Sequence, residues 1–355
     1  MNLTRRSALR ASAAAAVPLL AACAPQHTPS AAPTDGQSTD SPKPVPASAA
    51  PTSSRPVTKL TVGLTYIPNV QFAAFYVAKG NGLFAGEGLD VSLRHHGAQE
   101  DLFGALLANT EQLVCASSDE AMVAHTSEHK LVTTGTLFQR YPVCLVAPKA
   151  AGITSLADLA GKRIGIPGHF GSSYYAMLAG LKRAGMTEGD VSLQDIGYTQ
   201  FTALRAGRVD AVVGYLNNEP VVANAQGFEV DVLDLVDPAA PSLVGPGIIT
   251  LADRLDRDVL ARVNRALVAA EKLIEADLSV GVEAAARFVP AINTDAARSD
   301  ATSVLAATSH LWSGTDGAIS AAVNTHAFEA MRDLLVGQGF WKNPAPVSDT
   351  YVVVG

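Results

Sequence analysis

Side chains that hydrogen-bond without carrying charge recur beside aromatic rings along this chain, clustered at a few places. Tyr66, Asn69, Gln71 and Phe72 form the first, and Ser117 and Ser118, followed by Asp119 and Glu120, form the second. Tyr141 stands alone. Phe170, Ser172, Ser173 and Tyr174 follow, then Tyr198 with Gln200, then Tyr215, Asn217, Asn218 and Glu219. An amide side chain offers donors and acceptors together, which suits a ring edge bearing amide and imine groups. Phenyl and phenol faces stack on a flat ring, each contact being worth about 0.5–1.5 kcal/mol beyond area burial. These residue types would suit recognition of a neutral heteroaromatic solute rather than bond making.

Each group also has a plainer local explanation. Phe72 and Tyr76, four apart, could form one apolar helix stripe packing inward together with Phe75. Ser117 and Ser118 could cap a helix, and Asn217 and Asn218 suit a turn. Glu219 in a dry cleft requires a cationic or donor-rich partner. Tyr66, Tyr141, Tyr174, Tyr198 and Tyr215, five of the eight tyrosines, fall at expected strand ends or loops. That distribution favours an aromatic clamp over a polar cage for a small anion.

Other chemistries fit less well. Gly168-His169-Phe170-Gly171-Ser172-Ser173 sets backbone amides at a helix start, able to hold an oxyanion or carbonyl, but the Gly-Lys-Ser/Thr ending of a phosphate loop is missing. His125-Thr126-Ser127-Glu128-His129 matches a zinc-protease pattern; without a third ligand it reads as an exposed helix. His95 and His96 are adjacent on a strand end and point to opposite faces. Three cysteines exclude a disulfide-built scaffold and a Cys₄ metal centre. Cys115 and Cys144 read as small core residues, with geometry to decide whether they bridge. No Ser-His-Asp set assembles, and neither a cofactor nor a metal is expected.

The elements that must position these groups alternate. Residues 60–64, 89–93, 112–116, 131–137 and 142–147 have strand character, with helices expected over 72–79 and 101–108. A second series has strands at 163–166, 191–196, 211–213 and 230–235, with a helix from Ser172 or Ser173 to Ala184. Long helical patterns cover 252–277 and 317–336, the latter with Asp316 able to cap it. This order implies α/β lobes with largely parallel sheets. The C-terminal third has too few strands for its own domain, so it folds back on the first series. The expected division is lobe 1 from 58–147 and 245–355, and lobe 2 from 148–244, with a small-molecule cleft between them.

Ahead of these lies an expected address and tether. Arg5, Arg6 and Arg10 precede a short apolar run to Ala22, so residues 1–22 read as a signal peptide. Leu20-Ala21-Ala22-Cys23 resembles a lipobox, making Cys23 the lipidated residue, and the Arg5-Arg6 region also resembles a twin-arginine signal. Residues 23–57, rich in Pro, Ser and Ala, read as a disordered linker. The remaining chain is not disordered: 48% of the 355 residues are hydrophobic and 17% charged. A net charge of −7 argues against nucleic-acid binding, and no apolar run is long enough to span a bilayer.

The stretch Tyr66-Ile67-Pro68-Asn69-Val70-Gln71-Phe72, followed by Gly82-Leu83-Phe84 and Glu87-Gly88-Leu89-Asp90-Val91, resembles the SsuA/THI5-like solute-binding proteins of ABC importers. Ser155 to Gly165 looks like the entry to that family's second lobe, Gly168 to Tyr174 like its ligand loop, and Gly207 to Pro220 like its cleft-facing strand and turn. The resemblance implies a type II periplasmic-binding fold closing on a solute, with an ABC permease and its ATPase subunits as partners. It also implies a monomeric, lipid-anchored protein on the extracytoplasmic face of the cell membrane. Ile-Pro-Asn-Val-Gln-Phe and Gly-Tyr-Leu-Asn-Asn-Glu-Pro look most like the riboflavin-binding branch, with thiamine-precursor (hydroxymethylpyrimidine-type) binding as the alternative. Pyrimidine synthases of this family carry a cysteine-rich motif that three scattered cysteines cannot supply, so no enzyme is expected. A nitrate or alkylsulfonate reading would require Arg or Lys, or several amides, in the cleft, with Arg94 and Arg140 as the charged candidates.

Overall fold

The computed structural model describes residues 56–354 except 66, 98–99, 238–242 and 315. The expected signal peptide, Cys23, all but the end of the linker, and Tyr66 lie outside the described residues.

Among the described residues, ten strands build two mixed sheets on one plan. The first sheet uses β1 (Thr58–Leu64), β2 (Leu89–His95), β3 (Leu113–Ser117) and β4 (Leu131–Thr136). The second uses β5 (Val143–Pro148), β6 (Arg163–Ile166), β7 (Ser192–Asp195), β8 (Ala211–Tyr215) and β9 (Val230–Asp234), and β10 (Pro246–Leu251) returns to the first. The orders are β2-β1-β3-β10-β4 and β7-β6-β8-β5-β9. In each sheet three neighbouring strands are parallel, and a fourth, delivered from the other half of the chain, runs antiparallel.

This reciprocal insertion corrects two expectations. Residues 143–147, expected in the first lobe, form β5 and pair with β8 and β9 in the second sheet. The sheets are mixed rather than largely parallel, because β5 and β10, the latter unmarked in the sequence behind Pro246-Gly247, each enter a sheet antiparallel to their neighbours. Gly247 is required there: a Cβ would stand 2.8 Å from the Gly135 carbonyl and 2.7 Å from the Ser118 hydroxyl.

Among the described residues, eleven α-helices accompany the sheets: α1 (Ala73–Gly80), α2 (Leu83–Gly86), α3 (Gly104–Leu107), α4 (Ser118–Ala124), α5 (Gly171–Arg183), α6 (Gln200–Arg205), α7 (Glu219–Ala225), α8 (Arg257–Ala276), α9 (Leu278–Ala286), α10 (Asp295–Trp312) and α11 (Thr325–Gly337). Ala73 to Ala78 are all buried, so α1 is a central helix rather than one with a single apolar stripe. Tyr76 stacks on Phe288 at 4.5 Å and 8°, and its hydroxyl shares a 2.7 Å hydrogen bond with His95 Nε2. Asp256 caps α8 by accepting from the Val259 N–H at 2.8 Å. The pattern expected over 317–336 becomes helical only from Thr325, where Asn324 accepts from the Ala327 N–H. Asp316 instead accepts from the Ala318 N–H, forming a local turn.

Three packed clusters matter for the site. One fills the first lobe around α1, and another lies under the second sheet. The third joins Phe328, Met331 and Leu335 of α11 and Trp341 to Met122 of α4, with Tyr141 and Tyr175 at its margin. Among the described residues no helix is long and apolar enough to cross a membrane.

Candidate functional site

The carboxyl end of β3 and the start of α5 meet between the sheets. Asp119, in the first turn of α4, is fully buried, and its Oδ1 accepts from the Ser172 hydroxyl at 2.8 Å and from the Glu120 N–H at 2.7 Å. Ser172 belongs to the first turn of α5, so this bond joins the lobes. Neither Ser172 nor Ser173 is the N-cap that the sequence led us to expect. Phe170 occupies that position, and Gly171 enters the helix at φ +70°. A Cβ on Gly171 would stand 2.8 Å from a Glu120 carboxyl oxygen, so this glycine serves both backbone geometry and close approach.

Tyrosines surround this contact. Tyr215 ends β8, within hydrogen-bonding reach of Ser117 and Ser172, and Ser117 also reaches Glu120. Burial, then the charge of Asp119, raises the hydroxyl pKa of Tyr215, and the same causes raise those of Tyr141 and Tyr175. Tyr198 is raised by burial and by Glu120. Burial pushes the Asp119 carboxyl up to about 6; burial, then the charge of Asp119, pushes Glu120 up to about 8. Among the described residues no Lys, Arg or His forms an ion pair with either carboxyl.

A cavity of about 120 Å³ opens beside this group, lined in part by Tyr198, Gln200, Phe201, Asn218 and Glu219. Glu219 finds the donors that its burial demands: the Tyr215 N–H at 2.7 Å and Asn218 Nδ2 at 2.9 Å. Burial still raises its pKa.

The structure therefore brings Ser117, Tyr141, Ser172, Tyr198, Gln200, Tyr215, Asn218 and Glu219 to one region, and separates others from it. Phe72 is a core residue, edge-on to Phe75 at 6.5 Å, because the helix it leads is buried all round. Asn69 caps the short turn before α1 by accepting from the Gln71 N–H at 3.0 Å, with Gln71 half-buried beside it. Ser118 is buried against Gly247 of β10, with no partner for its hydroxyl among the described residues. Asn217 is buried and donates from Nδ2 to the Thr308 hydroxyl at 2.9 Å, tying the turn after β8 to α10. Tyr174 faces the flank of the second lobe, where its hydroxyl donates to Glu188 at 3.0 Å and its ring meets His169. Phe170 is 57% exposed and folds over Gly168.

Asp119, Glu120 and Tyr175 were not selected from the sequence as site residues. The available signal was the acidic pair directly after Ser117-Ser118 at a strand's carboxyl end.

The discounted motifs resolve locally. His125 ends α4 and donates from Nδ1 to the Leu131 carbonyl at 2.8 Å, while His129 lies in the following loop, so the expected exposed helix is absent. His95 and His96 take different partners, Tyr76 and Glu111. Cys115 and Cys144 are free, buried and in different sheets. Arg94 is held by Glu100 and Glu111, and Arg140 donates to the carbonyls of Ser313 and Gly314.

Two α/β lobes of matching topology, joined by reciprocal strands with polar and aromatic groups meeting between them, define the class of bilobal periplasmic-binding-type proteins. The chain belongs to the NMT1/THI5-like family, whose signature covers residues 69–276. It is 38% identical over 62% of its length to the riboflavin-binding protein RibY of Chloroflexus aurantiacus, covering 60% of that protein. It is 27% identical over 51% of its length to the formylaminopyrimidine-binding protein of Halalkalibacterium halodurans, covering 54% of it. A 4-amino-5-hydroxymethyl-2-methylpyrimidine phosphate synthase of Legionella pneumophila is 24% identical over 46% of this chain and 51% of that protein. The chain thus spans only about half to 60% of these relatives. In fold it is similar to the alkanesulfonate-binding protein SsuA of Xanthomonas axonopodis pv. citri bound to MOPS, at a TM-score of 0.63 and 17% identity over 84% of this chain and 99% of that one.

Proposed function

We propose that this chain is the solute-binding lipoprotein of an ABC importer, capturing a flat heteroaromatic vitamin or precursor and delivering it to a permease. Riboflavin is the favoured solute. The observation that carries the reading is the convergence of Tyr141, Tyr198 and Tyr215 on the α4–α5 junction between the lobes, with no ion-paired cation among the described residues there. Rings arranged in this way suit a planar ligand, and the 38% identity to a riboflavin-binding protein supports the choice. Cys23 would anchor the protein on the extracytoplasmic face, with residues 23–57 as the leash. Binding without catalysis is the reading that the scattered cysteines favour over a pyrimidine synthase.

An aminopyrimidine solute is the second reading, favoured by the carboxyl pair Asp119 and Glu120 and by the formylaminopyrimidine-binding relative. An alkylsulfonate or nitrate is disfavoured, since Arg94 and Arg140 are engaged elsewhere. The test is titration of the purified protein with riboflavin, a hydroxymethyl-aminopyrimidine and methanesulfonate, followed by calorimetry and intrinsic fluorescence. Saturable riboflavin binding is expected. Saturation by methanesulfonate alone would overturn the reading.

A further inference from the structure

We infer that Asp119 and Glu120 form an acidic subsite that receives a hydrogen-bond-donor edge of the solute, a ring N–H or exocyclic amine, at the α4–α5 junction. This rests on the solute-binding reading and assigns the chemistry of one side of the ligand.

Among the described residues Asp119 Oδ2 has no hydrogen-bond partner, although the residue is fully buried. Buried carboxylate oxygens are rarely left unpaired, because removal from water costs more than an unmade contact returns. The missing partner must be a donor. The adjacent Glu120 makes a second acceptor group pressed against Gly171 of the opposite lobe.

Among the described residues, the groups facing the pair from each surrounding element are hydroxyls: Ser117 at the end of β3, Tyr141 between β4 and β5, Ser172 and Tyr175 on α5, Tyr198 before α6, and Tyr215 on β8. None is a cation. Burial raises both carboxyls, and the charge of Asp119 raises Glu120 further, so the pair retains a proton where free carboxyls have lost theirs. It then presents acceptors beside a single O–H donor, matching a ring edge that alternates donor and acceptor. An imide edge and an aminopyrimidine edge both have this character, whereas a sulfonate has no donor.

The experiment is calorimetric titration from pH 5 to 9 of the wild-type protein, Asp119→Asn and Glu120→Gln, with riboflavin, 4-amino-5-hydroxymethyl-2-methylpyrimidine and methanesulfonate. A donor-edged compound should bind the wild type. Its affinity should fall as the pH drops below about 6, approaching tenfold per unit as the second proton loads the pair. Asp119→Asn should weaken binding about tenfold or more and flatten the profile. Failure of riboflavin with a sloping aminopyrimidine profile would remove the riboflavin reading and sustain the subsite. A bound heterocycle whose affinity ignores both pH and substitution would sink the subsite while sparing the solute-binding reading. Binding of methanesulfonate alone, or of none of the three, would sink both. If Asp119→Asn fails to fold, the wild-type profile and Glu120→Gln decide.

Discussion

Ser172 donates to Asp119 across 2.8 Å, joining the first turns of two helices from different lobes although the residues are 53 apart in sequence. The bond puts a hydroxyl of the second sheet's half against a buried carboxylate of the first. Tyrosine hydroxyls complete the surroundings of that carboxylate. The contact across the lobe junction at this point is thus polar rather than apolar packing.

The carboxyl pair should give the fold an inverted pH response. Asp119 and Glu120 hold protons to about 6 and about 8, whereas an unfolded chain releases them near about 4. Below about pH 4 both states are protonated and no penalty exists; it accumulates as pH rises towards about 8 because the folded state then binds more protons. Glu219 and Glu271, also raised by burial, add to the same slope. Urea unfolding should therefore show stability falling from about pH 5 to 8, with the fall reduced in Asp119→Asn/Glu120→Gln. A rise over that interval would count against the buried pair.

Gly171→Ala should destabilise the protein by about 1–3 kcal/mol, since φ +70° and the nearby Glu120 carboxyl both oppose a methyl group. Thermal unfolding measures the loss. Weakened solute binding in the folded fraction is also expected, because α5 carries Ser172.

Phe72→Ala separates core from site. Loss of a buried ring should cost about 3–5 kcal/mol, read by denaturant unfolding, with solute affinity of the remaining folded protein unchanged. A selective loss of affinity at undiminished stability would return Phe72 to the cleft.

Asn217→Ala removes the donor that Thr308 accepts and should cost about 1–2 kcal/mol. Thr308→Val removes the other partner of the same bond. A double-mutant cycle by urea unfolding should therefore show coupling rather than additivity.

Cys115 and Cys144 should resist an aromatic disulfide reagent until denaturant is added, because both are buried and burial raises their thiol pKa, that of Cys115 to about 12. Peptide mapping after labelling assigns the reactive thiols. A native disulfide between them would contradict their placement in separate sheets.

What the amino-acid order determined by itself was the alternation of strands and helices, since the apolar repeat switches between two and about 3.6 residues and needs only neighbouring positions to be read. It also placed the carboxyl ends of β3 and β8 slightly short, at Ala116 and Val213, with Ser117, Tyr215 and the β8–α7 turn just beyond. Local reading failed where distant chain decided. Pro246-Gly247 masked β10, whose strand identity comes from its pairing with β3 and β4. Phe72 and Asn217 became structural because α1 is buried on every side and α10 lies across the turn after β8. Only the tertiary structure placed Asp119 and Glu120 opposite Gly171 and Ser172. Burial, and hence the affinity of a carboxyl for its proton, depends on what the rest of the fold sets against it.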